Sequence, residues 1–182
     1  MKILERDLDY YLDPDFKNLN EVINLPFGVG KSFKGQFPKD VTVIVKSKLP
    51  LPDFIICGAM YIVSRELKEV FENAAESEAE FFPINVWLRK VPYTQQEFYC
   101  FNPLNEIDAM NYQKSIYIFE EDNEFIDSIE KLIIDESKVK GLNYFHVDNI
   151  EPLFVSDKIA EEIIKRKLIG IQLINIEDFR GR

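Results

Sequence analysis

Histidine and cysteine are almost missing from this chain: 182 residues include one imidazole, His146, and two thiols, Cys57 and Cys100. A transition-metal centre draws on several such ligands, and three of them far apart in sequence do not suggest one; no cofactor is expected. Both cysteines have apolar or aromatic neighbours, as in buried strands. They read as small core residues and not as a disulfide. Long apolar runs are missing too. The stretch from Phe54 to Val63 is interrupted by Gly58 and falls well short of the roughly 20 residues that span a bilayer. The opening MKILERDLDYYLD carries charges where a signal peptide needs an apolar core. A cytoplasmic location with no membrane partner is expected.

Positive charge is in deficit. Lys and Arg number 22 against 32 Asp and Glu, a net charge of −10. The imbalance is uneven: residues 1–50 hold eight basic and seven acidic residues, residues 51–182 fourteen and twenty-five. Such a surface repels phosphate backbones, so no nucleic-acid partner is expected, and it attracts basic partners. The plainer account is that the charge keeps the protein soluble.

What the chain does have is apolar material from end to end: 46% hydrophobic residues, with fifteen Phe and eight Tyr. A chain of this length buries about 70% of the surface its unfolded form exposes. Near the start, Asp13 followed by Pro14 reads as a helix entry, with Phe16, Leu19, Val22 and Ile23 on one face. LPFGVGKSFKGQFP then reads as a loop before the strand-like VTVIVK, and KSKLPLPD as a second break. These divide the chain into an N-terminal lobe, residues 1–50, and a domain of residues 51–182. In that domain FIICG, EFFPINVWL, EFYCF, SIEKLII, NYFHV, a segment ending near Val155 and GIQLINI read as strands. FNPLNEIDAMNYQKS carries no clear period. Only two helices have convincing length. The expected class is α+β, with a mixed or mainly antiparallel sheet, two principal helices and an irregular N-terminal lobe.

One pattern occurs twice: IVSRELKEVF at residues 62–71 and FVSDKIAEEII at residues 154–164. After Ser64, Leu67, Val70, Phe71 and Ala74 recur at helical spacing; after Ser156, Ile159, Ala160, Ile163 and Ile164 do so. Ser64 and Ser156 are therefore helix N-caps, each accepting a hydrogen bond from a first-turn N–H. Glu66 and Asp157 add negative charge where the helix dipole favours it. A nucleophilic serine needs a base oriented by a third group, and the sole imidazole sits in the strand-like NYFHVD. Neither serine stands in a Gly-x-Ser-x-Gly elbow.

Other constellations fail on spacing. Gly30, Lys31 and Ser32 match the end of a phosphate loop, but its first glycine would fall on Leu25, beside Pro26, and FKGQFP replaces the helix. EEDNE at residues 120–124 lacks the ligand spacing and central Gly of a calcium loop and reads as a solvated acidic turn. Nothing singles out a carboxylate pair for acid–base work. On the first helix, Glu69, Glu72 and Glu76 are three and four apart and fall along one face, where like charges repel by a few tenths of a kcal/mol per pair. A partner bearing Lys or Arg would relieve that repulsion, so these three residues are the candidate contact face.

Five segments carry a family likeness: DFIICGAMYIVSRELKEVFE, AEFFPINV, EFYCFNPLNEIDAMNYQKS, KLIIDESKVKGLNYFHV and LFVSDKIAEEIIKRKLIGIQL. Their order, over about residues 53–176, resembles immunity protein family eleven of bacterial polymorphic toxin systems. The pattern places an acidic or polar residue before an aromatic-Pro pair, here Glu80, Phe81, Phe82 and Pro83. It then expects two acids three apart with Ser four beyond, here Asp108, Asn111 and Ser115, of which Asn111 departs. The resemblance implies a non-enzymatic protein, encoded beside a toxin, that binds and neutralises it. On this likeness the N-terminal fifty residues lie outside. The expected partner is a cognate protein toxin with a basic surface. The rival expectations are an acidic adaptor or structural interaction protein, and an enzyme with a carboxylate-based site.

Overall fold

The computed structural model describes residues 1–10, 14–17, 22, 25, 27, 30–46, 50–119 and 126–181. The chain opens with β1 (Lys2–Arg6), β2 (Asp15–Phe16) and β3 (Thr42–Val45), followed by the hairpin β4 (Phe54–Cys57) and β5 (Met60–Ser64) and by α1 (Arg65–Ala74). The long β6 (Ala79–Leu88), β7 (Val91–Pro92) and β8 (Phe98–Pro103) come next, then β9 (Glu106–Ile107), β10 (Ile116–Phe119) and β11 (Ile126–Lys131). A second hairpin, β12 (Tyr144–Val147) and β13 (Ile150–Val155), leads into α2 (Asp157–Arg166) and β14 (Ile171–Asn175).

Among the described residues the strands form three sheets. One runs β14-β1-β13-β12-β9, one is the pair β10-β11, and the largest runs β2-β3-β6-β8-β5-β4 with β7 on β6. Among the described residues, only β3 with β6 and β9 with β12 pair in parallel. The fold is α+β with mixed, mainly antiparallel sheets, as the sequence predicts.

Alternation along the strands explains the layering. Tyr144, Leu153 and Val155 of the five-stranded sheet enter the same core as Phe54, Val63 and Phe101 of the largest sheet, together with Leu67 and Phe71 of α1 and Ile159 and Ile163 of α2. Neighbours of opposite parity, Ile3, Phe145 and Phe154, face a second core under β10 and β11. Cys57 and Cys100 are buried and unpaired in a third core with Val43 and Val45. With 2-residue periodicity a strand buried on both faces must be apolar at nearly every position, and YFHV of β12 is buried throughout.

The doubled serine pattern belongs to a larger repeat. In both hairpins the helix-capping serine donates its N–H to the residue before the first strand: Ser64 to the Asp53 carbonyl at 2.9 Å and Ser156 to the Asn143 carbonyl at 2.8 Å. Each tight turn contains one left-handed residue, Gly58 (φ 59°) or Asn149 (φ 62°). The segment leaving each helix seats on the start of the other hairpin. The Glu78 carboxylate, after α1, accepts from the Asn143 and Tyr144 N–H groups at 3.1 and 3.4 Å. Ile169, after α2, exchanges main-chain contact with Asp53: the Asp53 N–H donates to the Ile169 carbonyl, and the Ile169 N–H to the Asp53 carboxylate, both at 2.8 Å.

The N-terminal segment departs from expectation. Asp15 and Phe16 are a strand, opposite Ile44 and Val43 of β3, so no helix starts at Pro14; ladder pairing with β3 overrides the local capping signal. Val22 is buried, while Asp13, Leu19 and Ile23 lie outside the described residues. Pairing also crosses residue 50: β1 lies between β13 and β14, and β3 pairs with β6.

Candidate partner-binding surface

The two helices carry the candidate contact face, and their first turns are built as the sequence predicts. Ser64 Oγ accepts from the Leu67 N–H at 3.2 Å and Ser156 Oγ from the Ile159 N–H at 3.4 Å. Apolar Leu67, Val70 and Phe71 face inward, which turns Glu66, Glu69 and Glu72 outward. The acids do not stand alone. Glu69 meets Arg166 of α2 at 3.2 Å and Arg65 at 3.5 Å, and Glu72 pairs with Lys68. Arg166 also meets Glu162 at 3.8 Å, which joins both helices in one ion-pair network. Lys68 lies over the rings of Phe81 and Tyr99, 5.3 and 5.1 Å from their centroids.

The helix ends at Ala74, and Ala75 turns to extended backbone. Glu76 therefore stands in the single 3-10 turn that comes next, Glu76–Glu78, not on the helix as its spacing suggests; its side chain lies outside the described residues. The early stop has a physical reason, because the chain must leave the helix for Glu78 to reach Asn143 and Tyr144. The repulsion expected along the row is met within the molecule by Arg65, Arg166 and Lys68.

Three further carboxylates are engaged by the chain's own donors. Asp53, 7% exposed, takes Gln96 Nε2 at 3.1 Å as well as the Ile169 N–H. Glu78 adds Asn143 Nδ2 at 3.3 Å to its two backbone donors. Glu80 accepts from Ser32 Oγ at 2.5 Å, the Phe33 N–H at 2.7 Å and Asn102 Nδ2 at 3.1 Å. Burial alone would raise the Glu80 pKa; hydrogen bonds from Ser32, Phe33, Asn102 and Lys34 together outweigh it and hold the carboxyl below its ordinary value. Successive N–H groups curled around an anion form a nest. The loop does cradle an anion, but through Ser32, Phe33 and Lys34 rather than Gly30 and Lys31, and the anion is Glu80. Sequence spacing excluded a phosphate loop there but carried no sign of the internal occupant.

His146, 4% exposed, stacks on Tyr61 with centroids 5.5 Å apart. Nε2 has no partner among the described residues, while the ring donates to the Pro152 carbonyl. Burial pushes its pKa down to about 4, only partly offset by that hydrogen bond, so the ring is neutral at pH 7. No base–serine couple forms: Ser64 and Ser156 are both occupied as caps. The expected acidic turn at residues 120–124 lies outside the described residues. Asp108 meets Lys138 at 3.4 Å. Asn111 Oδ1 accepts from the Lys114 N–H at 3.1 Å, and Ser115 Oγ from the Ile133 N–H at 2.9 Å. An Asp at position 111 would accept the same bond, which accounts for a polar turn that tolerates either residue.

Burial separates the remaining surface. Ile116 and Ile118 of β10, two positions apart on one face, are 52% and 62% exposed. No helix among the described residues is long and apolar enough to cross a membrane. Among the described residues no three His, Cys, Asp or Glu side chains group as metal ligands do.

Comparison with curated proteins finds no match. Comparison with protein families finds one, the immunity protein family Imm11, over residues 8–178. The match takes in nearly the whole chain, including most of the first fifty residues that the motif likeness left out. This chain belongs to the Imm11 immunity protein family.

Proposed function

We propose that this protein binds a cognate toxin protein of a polymorphic toxin system and neutralises it by occupying its surface, without catalysis, in the cytoplasm of the producing cell. Family membership over residues 8–178 carries this reading. The site geometry supports it: Asp53, Glu78 and Glu80, the carboxylates drawn inward, each hold main-chain N–H groups of distant segments. They are engaged in holding the fold, which weighs against a carboxylate-based enzyme. The surplus of acids in residues 51–182 favours a basic toxin surface. Glu69, Glu72 and Glu76 are proposed as part of the face that draws this partner in. Because Glu69 and Glu72 already have cationic partners, their contribution is to long-range attraction more than to tight contact.

Co-expression with the product of the neighbouring gene tests the reading. Cells carrying both chains survive, and cells carrying the toxin alone do not. Death of cells carrying both would remove the proposal, whereas an adaptor would co-purify with its neighbour without rescuing the cell.

A further inference from the structure

β10 is an edge strand of an unusual kind. Its one ladder is with β11, and among the described residues no strand pairs with its other side. β11 is covered on its far side, where Ile129 exchanges main-chain hydrogen bonds with Gly181. Soluble proteins protect open edges with lysine, proline or inward-pointing charge. The sequence of β10, IYIF, has none of these. Instead Tyr117 packs against the core below while Ile116 and Ile118 stand out in water. The edge is four residues long, roughly 13 Å at strand rise, enough for one short partner strand.

We propose that β10 is the docking edge for the toxin, which adds an extended segment to it as a further strand. This deepens the reading given under Proposed function and rests on it. Main-chain groups on the open edge supply hydrogen bonds, and Ile116 and Ile118 receive alternate apolar side chains, the arrangement of strand addition. Charge selects the occupant. Residues 51–182, to which this edge belongs, hold twenty-five acidic against fourteen basic residues. A segment of alternating apolar and basic residues is complementary to this; a second copy of this chain, itself at −10, is repelled.

The test compares the wild-type chain with I116T/I118T for binding to a catalytically inactive form of the neighbouring gene's toxin. Threonine keeps strand propensity and charge while removing the apolar contact. Expected are an unchanged melting temperature and Kd raised at least tenfold, with slowed amide exchange at residues 116–119 of the wild-type chain in the complex. A Kd within threefold of wild type, a complex that leaves those amides unprotected, or a chain that dimerises through β10 by itself would each overturn the edge assignment while leaving toxin binding intact. If the wild-type chain neither binds nor protects, both readings fall together. Should the double variant misfold, the exchange measurement on the wild-type complex decides.

Discussion

Glu80 shows how one side chain can settle a loop. Its carboxylate gathers the segment from Ser32 to Lys34 and ties it to Asn102. Removing an acceptor that leaves several donors unpaired costs more than a single hydrogen bond. Glu80→Ala is expected to lower stability by about 2–3 kcal/mol in urea unfolding, and Glu80→Gln by less. Because the folded-state pKa lies below the ordinary value near 4.5, this stabilisation is present above that value and fades as pH falls beneath it. His146 titrates in a higher window. Its folded pKa of about 4 lies under the ordinary 6.5, so the unfolded chain binds more protons between those values. Stability is full above pH 6.5 and falls towards pH 4, by roughly 3 kcal/mol at most. His146→Phe should flatten that slope; an unchanged slope would place the titration elsewhere. Neither role could be read in advance. Glu80 sits in EFFP as an ordinary strand acid, and the donors it gathers are about 50 and 20 residues away. The strand-like setting of His146, by contrast, was plain from NYFHVD.

At the scale of elements, both helices were legible because their start is written locally, by serine, first-turn acid and apolar spacing. Ser64→Ala and Ser156→Ala should each cost about 1 kcal/mol. Ser64, with no exposure and the shorter bond, should cost the more of the two, as read from denaturation midpoints. After α2 the chain returns to the first hairpin through Gly170, whose φ is +75° and where an added Cβ would stand 2.1 Å from Pro52 Cβ. Gly170→Ala must move Pro52 or break the Asp53–Ile169 exchange, and a loss of about 3 kcal/mol is expected from calorimetry. Several strands escaped the sequence, β1 and β10 among them. β1, within MKILERDLDYYLD, has charges at both ends of five residues and depends on partners about 150 and more residues away. β10 has apolar residues where a solvated strand should be polar, so inside–outside alternation offers no guide. Asp13-Pro14 misled for the opposite reason, a good local capping signal that the ladder between Asp15-Phe16 and β3 overrides.

Across the whole molecule, fold class followed from counting strands against helices, while the way the sheets join did not, since pairing between distant strands leaves no local trace. The uneven charge does suggest a measurable outcome. Association with a basic toxin should be fast at low ionic strength and slow by at least tenfold towards about 0.5 M salt, and E69K/E72K/E76K should bind at least tenfold more weakly under dilute salt. Because Glu69→Lys also breaks the link to Arg166, the melting curve of the triple variant is the necessary companion. Salt-independent association would assign recognition to apolar contact alone.

The place of β1 between β13 and β14 reaches back to the moment of synthesis. Lys2 to Arg6 are synthesised about 150 residues or more before both their neighbours, Leu153 to Val155 and Ile171 to Asn175. At ~5–20 residues per second that strand waits about 10–30 s with its hydrogen-bonding edges open. The five-stranded sheet closes only once Ile171 to Asn175 have been made, so a nascent chain that stops short of them is no substitute for one that carries them.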